Sequence, residues 1–145
     1  MSYRHPLRTL LVATLALSLA LGAAAWWWAR SLPGAGALHQ FAPTTVRAGV
    51  PFEVKVLASV WGEGRPADRR YEDWSLQLQQ QGQPLGGPVV PASVGREGER
   101  LALRFQLVAP PLVAPQPAAL TWQLRFVFDG QAQQVAGTHA ITVEP

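Results

Sequence analysis

The chain of 145 residues contains no cysteine. That excludes a disulfide framework, a thiolate nucleophile and a cysteine-ligated zinc. Charge is scarce, at 14% of residues, and none interrupts the stretch between Arg8 and Arg30. The formal net charge of +3 is unevenly placed. Arg4, Arg8 and Arg30 lie in or beside the uncharged stretch, whereas all 9 acidic residues lie beyond it and are balanced by the basic residues after Ser31. The part able to fold as a domain is therefore neutral. Binding nucleic acid by counterion release requires a net basic surface, so nucleic acid is not expected as a partner. Lysine is represented by Lys55 alone, and this preference for arginine, with abundant Ala, Gly and Pro, fits a bacterial source.

The uncharged stretch is what the sequence offers in exchange. As a helix rising about 1.5 Å per residue, Leu10 to Ala29 would span about 30 Å, the thickness of a bilayer's hydrocarbon core. The apolar region of a cleaved signal is shorter, about 7 to 15 residues. Trp26, Trp27 and Trp28 have the side chains that settle at the headgroup layer, and Arg30 can reach phosphates, so these four are the expected interface anchors. Ala23 and Ala25 nevertheless have the spacing of a signal-peptidase site, and Ala35 and Ala37 repeat it, so cleavage stands as the alternative. Arg4 and Arg8 precede the stretch and only Arg30 closely follows it, which keeps the amino terminus in the cytoplasm. The expected organisation is a cytoplasmic segment 1–9, a transmembrane anchor or uncleaved signal 10–29, a spacer 30–41, "SLPGAGALHQ" at its centre, and an exported domain 42–145. The expected location is single-pass in a bacterial inner membrane with the domain in the periplasm.

Beyond the spacer, apolar residues alternate with polar ones. Phe52, Val54, Val56, Ala58 and Val60 share one parity, as do Trp74, Leu76 and Leu78, then Leu101, Leu103, Phe105 and Leu107, then Leu120, Trp122, Leu124, Phe126 and Phe128. A period of two is that of a half-buried strand. Asp129-Gly130 marks a hairpin into "QVAGTHAITV", whose glutamine-rich approach leaves room for a longer loop. Turn residues fill the other gaps: "GEGRPAD", "QGQPLGGP", "GREGE" and "APPLVAPQPAA", the last read as a stiff crossover between sheets. No helical stretch follows residue 30. About 105 residues of short strands predict an all-β antiparallel sandwich of six to eight strands behind one transmembrane helix. Its core is expected to hold Phe52, Val54, Val56, Trp74, Leu76, Leu103, Phe105, Trp122, Leu124 and Phe126.

"WSLQLQQQGQPLGGPV" resembles the C to C′ hairpin of immunoglobulin-like domains, and "TVRAGVPFEVKV" resembles the A to B corner of bacterial domains of that architecture. The disulfide and tyrosine corner of antibody domains are missing. The resemblance implies an immunoglobulin-like β-sandwich and, since that fold hosts many functions, no particular activity.

No catalytic constellation emerges. Ser59, Ser75 and Ser93 have no neighbouring base, the acid pairs Glu72/Asp73 and Glu97/Glu99 fall among turn residues, and His39 and His139 lack ligand spacing. No enzyme, cofactor or metal is expected. The segment Trp61 to Trp74, "WGEGRPADRRYEDW", departs from the composition around it: seven charges and a tyrosine lie between two tryptophans. Arg, Tyr and Trp dominate interface energetics. Trp61, Arg65, Arg69, Arg70, Tyr71, Glu72 and Asp73 form the candidate protein-interaction loop, with Arg69, Arg70 and Tyr71 expected in solvent. The alternative is a solvated connection between neighbouring strands. Together these features predict a membrane-anchored, non-catalytic module that binds another envelope protein, for example as an accessory or assembly subunit of an inner-membrane complex. After signal cleavage the alternative is a periplasmic carrier of a small molecule or metal.

Overall fold

A computed structural model describes residues 5–31, 36–61, 65–111 and 118–145, with helix side chains from Thr9 to Trp28. Helix α1, His5–Ser31, contains an apolar span, Thr9–Trp28, long enough to cross a membrane. Its described side chains are exposed on every face. Two of its hydroxyls turn back on the helix: Thr14 Oγ1 donates to the Leu10 carbonyl at 2.6 Å and Ser18 Oγ to the Thr14 carbonyl at 2.9 Å. Such bonds leave little polar surface on the cylinder.

The rest of the described chain is mostly β-sheet. The strands are β1 Gly36–Phe41, β2 Thr45–Arg47, β3 Pro51–Val60, β4 Tyr71–Gln80, β5 Gln83–Val89, β6 Ser93–Glu97, β7 Arg100–Val108, β8 Ala118–Phe128, β9 Gln131–Ala136 and β10 Ile141–Glu144. A four-stranded sheet has the order β1-β3-β7-β6. A six-stranded sheet has the order β2-β10-β8-β4-β5, with β9 also on β8. All pairings are antiparallel except β2 with β10.

Side chains of both sheets meet in one buried cluster, which contains all ten expected core residues and adds Leu78, Leu101, Leu107, Leu120, Ile141 and Val143 among others. Trp122 is nearly inaccessible at its centre. Its ring leaves no space above Gly137, where a Cβ would lie 2.5 Å from the indole. The turns follow their chemistry: Gln81-Gly82 joins β4 to β5 and Asp129-Gly130 joins β8 to β9, each pair with positive φ at both residues. That geometry matches the twist of the strands it joins.

Four expectations change. The described strands number ten rather than six to eight. The second half of the expected spacer is β1, which pairs with β3 from Gly36↔Val60 to Phe41↔Lys55 because Leu38 and Gln40 turn inward on alternate positions. The return strand "QVAGTHAITV" is two strands. Between Gln123↔Ala136 and Leu120↔Ile141 the register against β8 shifts, and Gly137 to Ala140 take up the slack beside the Trp122 ring. Lastly, the connection after Trp61 joins β3 of one sheet to β4 of the other, so it crosses between sheets rather than linking neighbours. Residues 62–64 of it, and 112–117 of the proline-rich crossover from β7 to β8, lie outside the described residues.

Candidate functional site

The expected interaction loop is divided by the fold. Trp61 is exposed, as are Arg65, ahead of a 3-10 turn Ala67–Arg69, and Arg69, its last residue. Ala67 plugs into the core. Asp68 reaches β6, its carboxylate 2.7 Å from Arg96 Nη2, and that hydrogen bond holds its pKa below the ordinary carboxylate value. Tyr71, Glu72 and Asp73 belong to β4.

Arg70 and Tyr71 do not point into solvent; both are buried. For Tyr71 the reason is a bulge. Glu72 faces Val127, but Ser75 faces Arg125, so β4 carries one extra residue there, and Asp73 takes φ 52° to accommodate it. One extra residue exchanges the faces of a strand. Trp74, Leu76 and Leu78 face the core at even positions, and Tyr71 faces it from an odd one. Arg70, just before the strand, places Nη1 3.7 Å from Asp129 Oδ2, while the Asp129 amide donates to the Arg70 carbonyl at 3.0 Å. Arg70 thus ties the crossover to the β8–β9 turn. The exposed remainder of the loop is Trp61, Arg65, Arg69, Glu72 and Asp73.

Tyr71 stacks on Trp74 at 5.1 Å between ring centres and tilts against Phe128 at 4.7 Å, and Trp74 stacks on Phe126 at 4.8 Å. The Tyr71 hydroxyl donates to the Ser59 carbonyl at 3.4 Å and lies where a Cβ on Gly36 would have to go. Burial, helped by the Asp129 carboxylate, pushes the phenol pKa up to about 12.

Tyr71, Phe126 and Phe128 of this cluster floor a cleft of about 420 Å³ between β1 and β9. Leu38, Gln40 and Gly36 form one wall, Gln133 and Val135 the other, and the lining holds no charged residue. One end is closed by side chains: Trp122 Nε1 donates to Gln40 Oε1 at 3.0 Å, and Gln40 Nε2 donates to the Ala136 carbonyl at 3.4 Å. The sequence does not announce this cleft, because residues 36–41 read as a spacer and β9 has no apolar alternation.

His139 sits edge-on to Trp122 at 5.1 Å, with Nε2 3.1 Å from the Ala42 carbonyl and Nδ1 3.2 Å from Thr138 Oγ1. Nε2–H donating to the carbonyl and Nδ1 accepting from the hydroxyl satisfies both nitrogens, so the ring acts as a structural polar group. His39 is exposed on β1. Among the described residues, no three His, Asp or Glu come together to hold a metal. Trp26, Trp27 and Trp28 are exposed on α1, and the Arg30 side chain lies outside the described residues. No known protein family matches the chain, and no curated protein resembles it in sequence.

Proposed function

We propose that the chain is a membrane-anchored, non-catalytic module that binds another protein of the bacterial envelope, for example as an accessory or assembly subunit of an inner-membrane complex. In this reading α1 spans the inner membrane once, with its amino terminus in the cytoplasm, and the β-domain is a periplasmic immunoglobulin-like sandwich. The observation that carries it is the apolar span Thr9–Trp28, exposed on every described face and directly followed by a β-domain with its own core. A cylinder of that length with so much apolar surface requires lipid or a partner around it. Arg4 and Arg8 ahead of it favour the stated orientation.

The immunoglobulin-like assignment is supported by strand order. The order β1-β3-β7-β6 corresponds to A-B-E-D, and β5-β4-β8 followed by β9 and β10 corresponds to C′-C-F-G. The binding role is favoured by the exposed Arg65, Arg69, Glu72 and Asp73 of the β-domain and by the uncharged aromatic cleft. Site-specific photocrosslinking in cells tests it, with the crosslinker placed at Arg69 or Gln133. A defined envelope protein crosslinked from either site, and recovered again when it is the tagged component, meets the expectation. Absence of any such partner from both sites contradicts it.

A further inference from the structure

Every sheet in an open sandwich ends in strands with one unpaired edge, and such edges invite pairing with another chain unless charge, proline, brevity or distortion protects them. Most edges of this domain are protected. Strand β5 carries Pro84, Pro88 and a kink at Gly86 with φ 74°. Strand β6 carries Arg96 and Glu97, which form ion pairs of 2.7 Å with Asp68 and 2.6 Å with Lys55. Strand β2 has three residues, one of them Arg47.

Two edge strands lack all these devices. Neither β1, GALHQF, nor β9, QAQQVA, contains proline or an acidic, lysine or arginine residue, and they flank the same cleft. Strand β9 pairs with β8 along one edge, and among the described residues no strand pairs with its other edge. The Ala136 carbonyl on that second edge receives Gln40. Backbone groups alternate sides along a strand, so the N–H and C=O of Ala132 and Gln134 face the same way. The side chains of Gln133 and Val135 point instead into the cleft, over the aromatic floor.

We infer that the free edge of β9 accepts an extended, uncharged segment of a partner protein as an added strand, with an apolar side chain of that segment seated in the cleft between β1 and β9. The unpaired edge sets the backbone chemistry, since a strand offers alternating donors and acceptors to match those of Ala132 and Gln134. The lining sets the side-chain chemistry: it is aromatic and aliphatic with glutamine and threonine at the margins, and a charged side chain entering it would lose water without gaining a counterion. Six residues of β9 at about 3.3 Å each offer about 20 Å of edge, enough for a segment of about six residues.

This inference rests on the reading of the chain as a protein-binding module, and its test is separable from that reading. The probe is a fluorescent, end-blocked peptide, Thr-Val-Thr-Phe-Thr-Val-Thr, titrated into the full chain held in lipid nanodiscs. The expected result is saturable binding that slows hydrogen exchange at the Ala132 and Gln134 amides. Replacing the peptide's Phe by Lys should weaken binding about tenfold or more, since the cleft would then hold an unpaired charge. Two variants locate the site. Gln134→Pro removes an outward donor without touching the β8 ladder, and Gln133→Lys puts a charge at the cleft wall. Each should weaken the peptide about tenfold or more with the melting temperature unchanged. If Gln134→Pro unfolds, Gln133→Lys decides alone. No binding, binding indifferent to Gln133→Lys, or a homodimer that protects the β9 amides without peptide would overturn the inference. A crosslinked envelope partner insensitive to Gln133→Lys would remove the cleft inference and leave the binding module standing. Peptide binding without any envelope partner would do the reverse.

Discussion

Single residues decide whether the charged segment near Trp61 is scaffold or surface. Arg65→Ala with Arg69→Ala should change unfolding free energy by less than about 0.5 kcal/mol, because both side chains are exposed. Tyr71→Ala should cost about 3 kcal/mol or more, since it empties space beside Trp74, Phe126 and Phe128. Denaturant titration compares them, and equal effects would contradict the bulge that separates their environments. Tyr71 also predicts an alkaline limit. Its folded-state pKa of about 12 lies above the ordinary value of 10, so the folded state favours the neutral phenol. That contribution is complete below pH 10 and is lost as pH rises through about 12. Melting temperatures across this window should fall more steeply for the native chain than for Tyr71→Phe. Trp122→Ala, at the centre of the core, should cost about 3 to 5 kcal/mol by urea unfolding.

At the scale of elements, the buried strands were legible in the sequence and the edges were not. Strands β3, β4, β7 and β8 each send a run of apolar residues inward, and alternation found them with their core residues. Strands β6 and β9 have all residues exposed, so burial imprints no period on them. The bulge at Asp73 was hidden for another reason: nothing in "YEDW" announces a residue with positive φ, yet that residue reverses the faces of Tyr71 and its neighbours. The cleft went unread because it lies between two strands that alternation missed. Two glycines show how local chemistry enters at this scale. Gly82 has φ 78° with open space where a Cβ would go, so Gly82→Ala should cost about 1 kcal/mol through backbone strain alone. At Gly137 the obstacle is the Trp122 ring, and Gly137→Ala should cost more while also altering tryptophan fluorescence. A Gly137→Ala variant with native spectrum and stability would show that β9 and β10 do not turn around that ring.

For the whole molecule, the central claim is that α1 holds the β-domain on a membrane. Helix and domain do separate tasks in this account: the helix has apolar length with its described side chains exposed, and the domain has its own core and an uncharged cleft between two unprotected edge strands. The most direct measurement is the intact mass of the chain in membrane and soluble fractions after an alkaline wash of cells expressing it. The account predicts the unprocessed chain, 15.7 kDa, in the washed membranes and released only by detergent. A soluble species beginning at Trp26 or Leu38 would contradict it, and would make the chain a secreted periplasmic protein.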